Sequence, residues 1–136
     1  MDIIGKWKLC GGMSFEDGKS VFLTADELVR EAEAEGDKSR VRTLTGVMEI
    51  HPDSHIYLKT PLPEGLSQEE ITEAKRSGVL IFDDGTYAME LLDWKAENGK
   101  FFARQTPNGK SFSPWMELTE DEDGALWLFT SKYERM

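Results

Sequence analysis

Asp-Gly and Asn-Gly turns cut the second half of the chain into short runs of alternating apolar and polar residues, and this punctuation constrains the fold most. Asp83-Asp84-Gly85, Glu97-Asn98-Gly99, Pro107-Asn108-Gly109 and Glu120-Asp121-Glu122-Asp123-Gly124 each put a glycine where a tight hairpin needs a positive φ. The runs they separate are expected strands: Val79–Phe82, Thr86–Trp94, Lys100–Thr106, Phe112–Leu118 and Ala125–Arg135.

The first half adds more strands and two helices. In Gly5-Lys6-Trp7-Lys8-Leu9 the apolar and charged residues alternate, as in a strand with one buried face. Gly11-Gly12 is expected to bend this strand, Met13–Phe15 to continue it, and Val21–Leu23 to pair back across a turn at 16–19. Thr24 with Glu27, and Ser67 with Glu70, are capping boxes that open two helices. Gly36 and Gly78 are expected to end them. Val41–Ile50 reads as a strand kinked at Gly46, and Ile56–Thr60 as its return after a His51–His55 turn. Pro61 and Pro63 break the pattern.

The sum is a mostly β chain: about eight antiparallel strands with two short inserted α-helices. Such a meander does best to close into an up-and-down β-barrel, because closure leaves no exposed edge. With 136 residues, one domain spanning 1–136 is expected.

Composition narrows the partners. A net charge of −10 argues against nucleic acid and against anionic membrane surfaces, both of which need a basic face. Cys10 is the only cysteine, which excludes an internal disulfide and fits a reducing compartment. Met1-Asp2-Ile3-Ile4 lacks the pattern of a secretion signal, and no apolar run reaches spanning length. A cytoplasmic monomer or homodimer is expected.

Two stretches at the ends and one in the middle carry a family likeness. Gly5-Lys6-Trp7, Tyr133-Glu134-Arg135 and the hairpin Gly78-Val79-Leu80-Ile81-Phe82-Asp83-Asp84-Gly85-Thr86-Tyr87 resemble a lipocalin-like (calycin) domain of the compact bacterial kind. The resemblance implies that the last strand returns beside the first, with the Arg135 guanidinium over the Trp7 indole as a structural plug. The two helical insertions depart from the family. In the fatty-acid-binding branch an arginine lies two residues before the final tyrosine, and Ser131 stands there in this chain.

The aromatic and methionine residues are the most informative about function. On Thr86–Trp94, Tyr87, Met89 and Leu91 share one face, and Leu92 and Trp94 the other. On the final run, Trp127, Phe129, Ser131, Tyr133 and Arg135 share a face. Solid core packing is the simpler account. The sharper one is a small-molecule cavity lined by Tyr57, Tyr87, Met89, Phe101, Met116, Trp127, Phe129 and Tyr133, since large rings with a few hydroxyls suit a ligand pocket. This predicts binding of a small hydrophobic or amphipathic molecule. A rival expectation is a non-catalytic interaction module, in which the acidic helix carrying Glu31, Glu33 and Glu35 meets a basic partner and the barrel is packed solid.

Catalysis has little local support. No nucleophile–base pair or phosphate loop is present, and no motif calls for a cofactor. His51 and His55 flank one turn, with Glu49 near, but a zinc site wants more ligands than these supply. The acid runs at 83–84 and 121–123 sit at turns, where solvated acids belong. Glu90 is of interest if its strand face points inward, because burial would then raise its pKa. Arg104 is either an inward anchor for a carboxylate or an ordinary outward residue, and the outward placement is preferred.

Overall fold

The structure is a computed structural model that describes residues 2–105 and 114–136. Its elements in chain order are β1 (Gly5–Glu16), β2 (Lys19–Thr24), α1 (Ala25–Ala34), α2 (Lys38–Leu44), β3 (Val47–Ile50), β4 (His55–Pro61), α3 (Gln68–Arg76), β5 (Thr86–Glu97), β6 (Lys100–Gln105), β7 (Met116–Glu120), β8 (Leu126–Leu128) and β9 (Ser131–Arg135). Neighbours pair antiparallel in the order β1-β3-β4-β5-β6-β7-β8-β9, and β9 pairs back to β1. The result is a closed eight-stranded barrel with β2 as an added ninth strand. β2 pairs only with the second half of β1, Gly11 to Glu16, while the first half, Gly5 to Lys8, pairs with β3. One long strand thus serves two partners along one edge, and its pairing with β9 shifts register between Leu9 and Gly11.

The two ends of the barrel are built differently. At one end Trp7 is fully buried among Ile3, Met48, Ile50, Ile56 and Leu92. Trp7 lies opposite Arg135 in the β1–β9 ladder, and the Arg135 guanidinium stacks 4.5 Å above the indole. That guanidinium also donates to the Ile4 carbonyl at 2.9 Å and to the Asp2 carbonyl, while the indole N–H donates to the Ile3 carbonyl at 2.9 Å. The N-terminal segment is thereby drawn across the barrel end. Gly5 makes room for it: its φ is +140°, and a Cβ there would lie 2.8 Å from Arg135 Nη1.

Both sequence-read capping boxes are present. Thr24 Oγ1 accepts from the Glu27 N–H at 3.2 Å, and Ser67 Oγ accepts from the Glu70 N–H at 3.1 Å. The turn at 16–19, the bend near Gly11 and the tight turns at Gly85, Gly99 and Gly124 also form as expected.

Three expectations are corrected. The described residues form three helices rather than two, because Lys38–Leu44 is helical where a strand over Val41–Ile50 was expected. Asp37 caps this helix by accepting from the Arg40 N–H at 3.0 Å, and only Val47–Ile50 is extended. Gly46 separates the two because its Cα faces the Lys59 carbonyl so closely that a Cβ would overlap it. Second, the expected final strand is a hairpin. It reverses at Phe129-Thr130, with Phe129 at φ +56° and Leu128 paired to Ser131. Third, Val79–Phe82 contributes one bridge, Ile81 to Tyr87, rather than a full strand. The expected turn at Pro107-Asn108-Gly109 and the start of the run from Phe112 lie outside the described residues. No helix of the described residues is long and apolar enough to cross a membrane.

Candidate functional site

Opposite the Trp7 end, the core thins and leaves a cavity of about 220 Å³. Its apolar wall comes from Leu9, Leu44, Val47, Leu58, Met89, Leu128 and Phe129; its polar groups are Thr43, Thr60, Glu90, Ser131 and Tyr133, and Gly46 and Lys59 complete the lining. α2 supplies Thr43 and Leu44, so the helix that replaced the expected strand forms one side of the mouth. Thr43 Oγ1 lies 3.4 Å from Met89 Sδ and ties α2 to β5.

A bulge decides which side chains enter. Between β4 and β5 the register shifts after Leu58, so that Leu58 faces Glu90 while Lys59 faces Ala88, and Met89 is the extra residue. Leu58, Glu90 and Leu92 consequently lie on the inner face. Glu90 accepts a long bond from Gln105 Nε2 at 3.5 Å. Across the cavity, desolvation pushes the Tyr133 phenol up to about 12, with the nearby Glu90 carboxylate adding to the effect. Tyr133 is thus a neutral hydroxyl at any physiological pH.

The outer face next to this mouth holds an ion cluster. The Lys59 ammonium bonds Glu49 Oε2 at 2.9 Å and Asp84 Oδ2 at 2.7 Å, and stands 4.4 Å above the Phe82 ring. Burial opposes the charge on Lys59, but the bonds to Asp84 and Glu49 outweigh it and raise its pKa. Burial likewise opposes the charge on Glu49, and bonds from Lys59 and His51 outweigh it and lower its pKa. The Lys59 bond, with one from Thr86, holds Asp84 down at about 2. The cluster fastens the 81–84 segment onto the barrel wall.

Of the expected cavity residues, the structure brings Met89, Phe129 and Tyr133 together at the mouth. The other five lie elsewhere. Tyr57 is on the outer face, edge-on to His51 at 4.9 Å and to Phe82 at 5.8 Å. Tyr87 pairs with Thr60 and Ile81 at the start of β5. Phe101 packs towards the closed end, 6.2 Å from Trp94. Met116 is exposed at the start of β7. Trp127 faces outward: its indole N–H donates to Asp121 Oδ2 at 3.1 Å, and its ring lies 6.0 Å from Phe22. The grouping of Trp127 with Tyr133 on one face fails because the turn at Phe129-Thr130 reverses the strand, which pairs Trp127 with Lys132 instead. The cavity residues that the pattern missed are Leu9, Thr43, Leu44, Val47, Leu58, Thr60, Leu128 and Ser131.

Glu90 and Arg104 are on opposite sides of the wall. Arg104 lies on the outer face, 3.9 Å from Asp93 and stacked 4.2 Å from the Trp115 ring. The histidines have separate acid partners: His51 Nε2 is 3.1 Å from Glu49 Oε1, and His55 Nδ1 is 3.2 Å from Asp93 Oδ1. Among the described residues no group of three or more His, Cys, Asp or Glu side chains is arranged to hold a metal ion. Asp121 organises its own turn, accepting from the Asp123 and Ala125 N–H groups at 2.9 and 3.0 Å.

Comparison with protein-family models, with curated proteins and with solved structures finds no match to this chain.

Proposed function

We propose that this barrel is a lipocalin-like (calycin) binding protein that holds a small apolar or amphipathic molecule at its open end. The observation that carries the reading is the contrast between the two ends. At one, Trp7, Ile3, Met48, Ile50 and Ile56 are buried to within about 2% of full burial, and the other keeps a cavity of about 220 Å³ with a mainly apolar wall. Drug-sized ligands occupy pockets of ~300–1,000 Å³. A smaller cavity suits a single ring or a short chain rather than a long lipid. The stacking of Arg135 on Trp7 supports the family assignment. Cys10, free and half-buried, supports a reducing compartment such as the cytoplasm.

Native mass spectrometry of freshly purified protein tests the reading. A small-molecule adduct that disappears on denaturation is expected, and it should be lost in Leu58→Trp, which fills the cavity. A bare mass, together with no saturable uptake of small lipophilic dyes, would overturn it. A second reading rests on the exposed acids Glu31, Glu33 and Glu35 of the α1 region. In this reading, a basic protein partner is captured by the wild type and lost when all three become lysine.

A further inference from the structure

We infer that the cavity selects an amphipathic amine, with Glu90 receiving the ammonium and the apolar wall receiving the body. The inference rests on the cavity reading above and names the ligand class. Three titratable side chains line the cavity: Lys59, Glu90 and Tyr133. The Lys59 ammonium is already paired with Glu49 and Asp84 on the outer face. The Tyr133 phenol, pushed up to about 12, is neutral at pH 7. Glu90 is therefore the one charged group presented to a ligand by the described lining.

Its surroundings suit a cation. Glu90 makes no ion pair among the described residues, and its one hydrogen bond there, from Gln105, is long at 3.5 Å. A carboxylate offers about four acceptor sites, so most of this capacity is left for a ligand. An ammonium carries three donors, and the Thr60, Ser131 and Tyr133 hydroxyls stand in the same lining to accept those that Glu90 does not. Leu44, Val47, Leu58, Met89 and Leu128 give the apolar body its contact surface. A carboxylate ligand meets the opposite situation. It would bring a second negative charge beside Glu90, while the Lys59 charge is already held by Glu49 and Asp84. Arg104, whose charge would reverse this sign if it faced inward, points to the outer face and faces Asp93.

The test compares three probes with one aromatic body and different heads: 2-phenylethylamine, 2-phenylethanol and 3-phenylpropanoate. Binding is measured by calorimetry at pH 7 on wild type and Glu90→Gln. The amine should bind about tenfold or more tighter than the alcohol, the range expected of a hydrogen-bonded charge. The acid should bind weakest. Glu90→Gln should bring the amine to within about threefold of the alcohol. An unchanged circular dichroism spectrum and urea midpoint show that the variant is folded. Equal binding of all three, tightest binding of the acid, or an amine preference that survives Glu90→Gln would overturn the inference and leave the cavity reading standing. Failure of all three probes to bind would overturn the cavity reading itself.

Discussion

Replacing Arg135 removes a side chain that joins the last strand, the first strand and the N-terminal segment. Three losses can be worked from the structure. The cation–π contact at 4.5 Å is worth about 0.5–1 kcal/mol at an exposed site. The two hydrogen bonds to the Ile4 and Asp2 carbonyls contribute about 0.5–1 kcal/mol each, since water can replace a partner at a residue this exposed. Each 40 Å² of Trp7 surface newly wetted would add about 1 kcal/mol. Arg135→Ala should therefore cost about 2–4 kcal/mol in urea unfolding, several degrees in Tm for a domain of this size. Arg135→Lys keeps the charge but not the planar fork and should lose about half as much. Arg30→Ala on exposed α1 serves as a control and should stay within about 0.5 kcal/mol of wild type. If Arg135→Ala also stays within that range, the barrel end is held by the indole alone and the reasoning fails.

Three further outcomes follow from the same geometry. Asp84 has its carboxyl held below its ordinary 3.8, at about 2. Its contribution to stability is thus full above the unfolded value and lost as pH falls through the folded one. Acid unfolding followed by tryptophan fluorescence should show a loss between these values that Asp84→Asn flattens. Tyr133 should ionise late, near pH 12 in the folded protein; absorbance titration at 295 nm should lose this late step in Tyr133→Phe. Its raised value adds stability below the unfolded tyrosine pKa that is lost as pH climbs through the folded one. Gly46→Ala drives a methyl into the Lys59 carbonyl and should cost about 1–3 kcal/mol in chemical denaturation, as overpacking does.

What the sequence discloses depends on how local the signal is. The capping boxes at Thr24 and Ser67 and the Gly85, Gly99 and Gly124 turns depend on a few adjacent residues, and they are found where the pattern puts them. The Trp7–Arg135 meeting is long-range, yet both ends carry a recognisable pattern. α2 was hidden because Val41, Thr43 and Thr45 alternate with polar or larger residues as a strand would, and the Asp37 cap is a single residue. The turn at Phe129 was hidden because it uses a bulky residue at positive φ, where a glycine or asparagine would have announced it.

The cavity was harder to read for a different reason. Both faces of several strands are apolar, since the outer face is covered too. Phe82 lies over Tyr57 and Lys59, and Trp115 lies over Lys95 and Arg104. Alternation alone then cannot say which face is inside. The Met89 bulge adds a register change with no residue signature, so a face counted from Tyr87 does not continue to Leu91. Small aliphatic and hydroxyl residues, rather than the large rings, line most of the mouth. Glu90 was legible as a residue of interest because an acid among apolar neighbours stands out, although its inward direction required the register.

The most direct test of a barrel closed at one end and hollow at the other is methyl NMR during titration with 2-phenylethanol, a probe that makes no demand on charge. The account predicts saturable shifts confined to the methyls of Val47, Leu58, Met89 and Leu128, with Met48, Ile50 and Ile56 at the Trp7 end unmoved. Absence of saturable shifts at the first set, or equal shifts at both ends, would contradict it.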